Sequence, residues 1–239
     1  MSAIYTLTLF FCRTLLRSLS GAIPPLLALV FYAVTFHLYP FDVDYLISVG
    51  GFEMILVCVA TSFLVTDKIN RAATYPFLQR LSHRSDLLTV NVVSSVLITS
   101  VLAIFFVIVA VLRHSLSLTP LQLLHLTIRW LVLFTFTAVL TLHVTQLVAR
   151  HYSHLMTYFF LAIIVTINEQ ERVLLDWNLD SLVQNIDLLT APLTTTLGGT
   201  TTIPLTFYIQ PLLFTIAYTA GLSALAAWLF RRKDLLWLE

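Results

Sequence analysis

Residues 87–112 read LLTVNVVSSVLITSVLAIFFVIVAVL, an uncharged run bounded by Asp86 and Arg113. A bilayer core takes roughly 20 apolar residues of helix, so this stretch is long enough to cross one unaided. It lacks period-two alternation of apolar and polar residues. Only helices and closed barrels satisfy their backbone inside lipid, so the run reads as a transmembrane helix.

The same character recurs on both sides of it. Spans are expected at 22–38, 45–66, 87–112, 126–149, 152–167 and 206–230, six crossings with short connections. The 239-residue chain is 59% hydrophobic and 10% charged, with a mean hydropathy of +0.92. Soluble domains carry about 25% charged residues, so the chain reads as an all-α integral membrane protein with a single transmembrane domain. The fifth span is the shortest: the run from Met156 to Ile167 needs His151, Tyr152 and Ser153 to approach a full crossing.

Positive charge orients the bundle, because Lys and Arg in short loops favour the cytoplasmic side. With the amino terminus inside, only Arg113, Arg129 and Arg172 of the thirteen Lys and Arg fall outside. Both termini are then cytoplasmic, as expected of a multi-pass protein of the inner (cytoplasmic) membrane. Acids gather on the opposite side, at Asp42, Asp44, Glu169, Glu171, Asp176, Asp180 and Asp187. The amino-terminal stretch, with Arg13 and Arg17 inside it, lacks a signal-peptide cleavage pattern. The net charge of +1 excludes a strongly basic nucleic-acid binder. Cys12 and Cys58, far apart within apolar stretches, read as packing residues rather than a disulfide or metal pair.

Three segments are not crossings. Residues 3–20 precede Pro24-Pro25, which should end or kink a helix. On a helical wheel Thr6, Arg13, Arg17 and Ser20 share one narrow face, while Leu9, Phe10, Leu15, Leu16 and Leu19 cover much of the rest. This predicts a basic amphipathic helix along the cytoplasmic surface, or else the cytoplasmic end of the first crossing. In the loop 67–86, Pro76 opens a short helix whose Phe77, Leu78 and Leu81 share a side, with Gln79, Arg80, His83 and Arg84 elsewhere; Ser85 offers an N-cap for the third crossing. Such a helix either docks a cytoplasmic partner or rests on lipid headgroups. The external segment 168–205 shows Leu175, Leu179, Leu182 and Ile186 at helical spacing, with Trp177 as an interface anchor. The Thr- and Gly-rich stretch 194–202 that follows reads as a loop, or as a re-entrant segment lining a cavity.

The chain lacks a phosphate-binding G-x-x-x-x-G-K-[ST] loop, an H-E-x-x-H pair and a G-x-S-x-G elbow. No catalytic residue and no metal site is expected; His151 and His154 lack the carboxylate or cysteine support of a metal pair. Glu53 is the one acid inside a span. Because a carboxylate in lipid costs at least about 2.5 kcal/mol, it should face the protein interior, either as part of a pathway or gate or as a hydrogen-bonded group near the external mouth. His143 reads as a satisfied packing residue, and Arg129 as snorkelling to the interface. Ala217, Gly221 and Ala224, with Ala220 and Ala227, form a small-residue stripe suited to close helix packing, within the chain or between subunits.

Two places carry a resemblance. One runs from Asp67 to Leu88 and ends in Leu81-Ser82-His83-Arg84-Ser85-Asp86-Leu87-Leu88. The other is the close Trp228-Leu229-Phe230-Arg231-Arg232-Lys233-Asp234-Leu235. Together with the order of spans they resemble the permease subunits of ABC-2-type transporters. Where many members have a glycine before the coupling helix and a proline after it, this chain has Ala72-Ala73 and Ser82. The resemblance implies an interfacial helix bearing Arg13 and Arg17, and a coupling helix of Pro76, Phe77, Leu78, Arg80, Leu81 and Arg84. It also implies a second permease subunit, identical or not, and a separate cytoplasmic ATPase subunit that binds ATP and Mg. The chain itself would bind no cofactor and catalyse nothing. It would form the path of an exporter. The competing readings are an ion-coupled secondary carrier using Glu53, a membrane enzyme acting on lipids, and a structural subunit of a membrane complex.

Overall fold

The computed structural model describes residues 2–38, 43–69, 85–114, 117–145 and 205–231. Every regular element among them is a helix. Helix α1 spans Ser2–Leu16 and α2 Ile23–Leu38, joined by a 3-10 turn at Leu19–Ala22. Helix α3, Val43–Ile69, changes pitch along its length, from a turn at Val43–Tyr45 through a π-helical Leu46–Gly50 to the α-helix Gly51–Ile69. Helices α4, α5 and α6 span Asp86–His114, Pro120–Val144 and Leu205–Arg231.

Helices α3 to α6 are each long and apolar enough to cross a membrane. The pair Ile4–Leu16 and Leu19–Thr35, bent by 85°, makes a fifth candidate if counted as one broken span. The expected spans 22–38, 87–112 and 206–230 coincide with α2, α4 and α6 to within two residues. Helix α3 runs past the expected end at 66 and takes Asp67 and Lys68 into its last turn. Helix α5 begins six residues earlier than 126. Thr119 caps it, accepting from Gln122 N at 3.3 Å while Gln122 Oε1 accepts from Thr119 N at 2.9 Å, with Pro120 in the first turn. This reciprocal pair satisfies two of the helix's orphan donors. The expected crossing at 152–167, the external segment 168–204 and the loop 70–84 lie outside the described residues.

The break after α1 comes earlier than the Pro24-Pro25 pair that was expected to make it. Ser18 is extended (φ −93°, ψ 152°), and its hydroxyl donates to the Leu15 carbonyl at 2.7 Å. The prolines sit instead in the first turn of α2, where their missing N–H groups cost nothing. Gly21 makes the bend possible: a Cβ there would lie 2.0 Å from the Leu15 carbonyl oxygen.

Helix α1 is bent away from α2 and covers one end of the bundle. Its Leu7, Phe11 and Leu15, one turn apart, are buried with Val65 at the end of α3, Leu88 at the start of α4 and Phe230 at the end of α6. Of the apolar residues expected to share the lipid-facing side, Leu9, Phe10, Leu16 and Leu19 are exposed, whereas Leu15 turns into the bundle; Arg13 and Arg17 are exposed as well. At the opposite end Tyr32 of α2, Leu46 and Met54 of α3, Phe106 of α4 and Trp130 of α5 share a second core.

The two ends fix directions. Helix α4 runs against α3. Helices α5 and α6 run the same way: Phe136 meets Tyr218 with ring centroids 5.9 Å apart, and further along both helices His143 Nε2 lies 3.0 Å from Leu222 O.

Candidate functional site

Glu53 sits in the first turn of the α-helical part of α3, directly after the π-helical segment. It is 5% exposed. Thr35 of α2 donates its hydroxyl hydrogen to Glu53 Oε1, while Oε2 is buried with no hydrogen-bond partner. The expectation that this acid faces protein rather than lipid therefore agrees with its position. The π-helical segment beside it is held from α5, where Trp130 Nε1 donates to Ile47 O at 3.2 Å. A π-segment leaves carbonyls out of the regular ladder, and the indole takes one of them.

Arg129 departs from expectation. It does not snorkel outward: it is 1% exposed and heads the fully buried side chains. Hydropathy along α5 could not show this, because it measures how apolar a span is and not which face it turns inward. Arg129 is one turn before Leu133, which is buried with Ile55 and Phe136 and packed against Tyr218 and Leu222. His125, a further turn back, is 3% exposed and close enough to feel the Arg129 charge. Sequence reasoning passed over His125; its signal was the i, i+4 spacing to Arg129. Glu53 is thus held against α2, while Arg129 lies one turn from Leu133 along α5. His143 takes the packing role expected of it, through Leu222 O.

A second polar feature was legible but unread. Asn91, Ser94, Ser95 and Thr99 recur along one side of α4, and all are 0% exposed. Asn91 Nδ2 donates to Thr66 Oγ1 of α3 at 2.6 Å, and Ser95 Oγ donates to Asn91 Oδ1 at 3.2 Å. Interhelical hydrogen bonds of this kind hold membrane helices together in place of the hydrophobic effect. Around them Thr8, Ser62, Ser94 and Thr99 are buried with unpartnered hydroxyls. Each such hydroxyl costs about 1–3 kcal/mol if left dry.

Ala217, Gly221 and Ala224 lie on the exposed side of α6, where a Cβ on Gly221 would meet nothing within 4 Å. Helix α6 packs on α5 through Tyr218 and Leu222 instead. The close-approach role within the described residues is therefore not theirs. Pro76, Phe77, Leu78, Arg80, Leu81 and Arg84 lie outside the described residues. Cys12 and Cys58 are both free, and the Cys58 thiol donates to Phe134 O at 3.5 Å. Among the described residues no three His, Cys, Asp or Glu side chains are grouped to hold a metal ion.

Four long apolar helices that bury a carboxyl, a guanidinium and a row of hydroxyls between them define a helical membrane-spanning protein. No family model, no curated protein and no solved structure matches the chain.

Proposed function

We propose that the chain is the membrane-spanning permease subunit of an ATP-driven transporter of the ABC-2 type, an exporter whose ATP and Mg are bound on a separate cytoplasmic subunit. The observation that carries this reading is the arrangement of α1. It is a helix with Arg13 exposed and Arg17 exposed just past its end, bent 85° from the first long helix and seated at the bundle end where α3 and α6 finish and α4 begins. An interfacial helix leading into a first crossing needs that position.

Two further observations support it. Helices α5 and α6 run the same way, so the chain joining them has to return to the other end of the bundle. One crossing at 152–167 with an external segment at 168–205 does this and completes six. Lys68 and Arg231 join Arg13 and Arg17 at the α1 end, and the positive-inside bias makes that end cytoplasmic. Both termini are then inside, in the inner membrane, and the loop 67–86 emerges on the same side. Phe77, Leu78 and Leu81 would enter a groove of the ATPase, with Arg80 and Arg84 pairing with acids at its rim. A second permease subunit would complete the path.

The test is affinity purification from native membranes in mild detergent, with identification of companions and an ATP hydrolysis assay. A stoichiometric ATPase lost with Leu78→Asp is the expected result; a chain that purifies alone, without nucleotide-dependent activity, sinks the reading. A second reading, an ion-coupled carrier, is favoured by one observation: the buried Glu53 carboxyl with Oε2 unpartnered. Glu53→Gln would abolish transport by such a carrier and spare an ATP-driven permease.

A further inference from the structure

We propose that the groove between α4 and α5 is a lipid site, which seats one acyl chain of a phospholipid from the leaflet opposite α1. The inference needs α4 and α5 to cross the bilayer and is independent of the transporter reading.

Ser100 and Ala103 put two short side chains on the side of α4 that faces α5, and the helices part there around a cavity of about 260 Å³. Its floor is made by Ala103 and Val107 of α4 with Trp130 and Phe134 of α5, which belong to the core at the end away from α1. Ile104, Ile108, Leu123 and Leu131 stand at its mouth and are 48–61% exposed. The groove therefore opens sideways, onto the outer surface of two helices apolar enough to cross a membrane.

Its chemistry excludes water. Three of the lining residues, Ser100, Thr127 and Trp130, carry a polar side-chain atom. Thr127 returns its hydroxyl hydrogen to Leu123 O at 2.8 Å, and Trp130 Nε1 gives its own to Ile47 O at 3.2 Å. That leaves the Ser100 hydroxyl, where a buried water needs about two to four polar partners. An apolar space surrounded by hydrocarbon is filled by hydrocarbon, because an empty one forfeits the dispersion contacts of the atoms that line it.

Size and direction select a single chain. At about 1.5 Å per residue, the lining runs about 12 Å along α4, from Ser100 to Ile108, and about 16 Å along α5, from Leu123 to Phe134. That is half of a hydrocarbon core about 30 Å thick, and it follows the helix axes, as the acyl chains of a bilayer do. An apolar cavity of about 150 Å³ accommodates a benzene ring, so one of about 260 Å³ suits about ten carbons of one chain. Over the same 12 Å, a helix about 10 Å across from a second copy would need about 900 Å³.

The test uses the full chain with Trp177→Phe, Trp228→Phe and Trp237→Phe, which leaves Trp130 as the one remaining tryptophan. It is held at one copy per phosphatidylcholine nanodisc, with or without bromine, a contact quencher of indole, on the lower halves of the acyl chains. An occupied groove gives strong quenching of Trp130, and Ala103→Leu, by filling the groove, lowers it about twofold or more. Val101→Leu, on the exposed side of α4, leaves it unchanged. Quenching that persists in Ala103→Leu overturns the proposal. Absence of quenching at one copy per disc means that residues 146–204 of the chain cover the groove, and its loss at two copies per disc means that a second copy does; either overturns it. A second measurement needs no variant: native mass spectrometry of the unaltered chain released from the discs in mild detergent. One retained phospholipid per chain is expected, and a chain that emerges bare overturns the proposal.

Discussion

Thr35 of α2 donates its hydroxyl hydrogen to Glu53 of α3, so the acid buried in the described bundle takes its hydrogen bond from a neighbouring helix. Removing the donor with Thr35→Val leaves the carboxyl alone and should cost about 1–3 kcal/mol, read as a lower melting temperature. Glu53→Gln keeps a carbonyl oxygen for the same hydrogen and should cost less than Thr35→Val. A Glu53→Gln variant that melts lower than Thr35→Val would contradict the hydrogen bond's role.

Asn91 joins α3 to α4 through a 2.6 Å bond to Thr66 and also receives Ser95. Asn91→Ala should destabilise the bundle by about 1–3 kcal/mol. In a double-mutant cycle with Thr66→Val the coupling should fall near about 0.6–1.7 kcal/mol, as for other membrane hydrogen bonds. Coupling indistinguishable from zero would mean that the bond contributes nothing.

Trp130 holds the π-helical segment through Ile47 O. Trp130→Phe retains most of the ring and loses the donor, a change of about 1 kcal/mol in stability. Hydrogen exchange of the backbone amides between Leu46 and Gly51 should quicken, while the far end of α3 should keep its protection. Uniform acceleration along α3 would show that the indole acts through general packing instead.

Gly21 admits no side chain where the chain doubles back on Leu15. Gly21→Ala forces the backbone apart at a cost of about 1–3 kcal/mol. Phe11→Ala, at a site 1% exposed, should cost about 3–5 kcal/mol. Both should loosen α1 from the bundle and hasten tryptic cleavage at Arg13 and Arg17. Unchanged cleavage in both variants would show that α1 is held by other contacts.

The positions of the crossings were readable because hydropathy sums over a whole span: α4 and α6 appear where the uncharged runs at 87–112 and 206–230 put them. What depends on one face or one atom was harder to read. The inward turn of Arg129 follows from how α5 is rotated among its neighbours, and a span average contains no rotation. Composition points to Pro24-Pro25 for the bend before α2, whereas the close approach of Gly21 to the Leu15 carbonyl, six residues earlier, admits it, and that approach exists only once the chain has folded. The early start of α5 is legible in Thr119-Pro120-Leu121-Gln122, a capping pattern with a proline in the first turn, which a measure of hydropathy alone does not register. The row Asn91, Ser94, Ser95 and Thr99 lay within the very run that identified the fold. Its helical spacing was sufficient to mark the side of α4 that turns inward.

The seat of α1 has a consequence for assembly. Phe11 and Leu15 share a core with Val65 near the end of α3 and Leu87 and Leu88 at the start of α4, the two helices on which α1 packs, so its seat is built from the helices that come just after α2 in the chain. Helix α1 must wait in the membrane surface, its Arg13 in water and its Leu16 in lipid, until α4 has arrived. A nascent chain stopped before residue 85 would carry α1 undocked, and docking would report the pairing of α3 with α4.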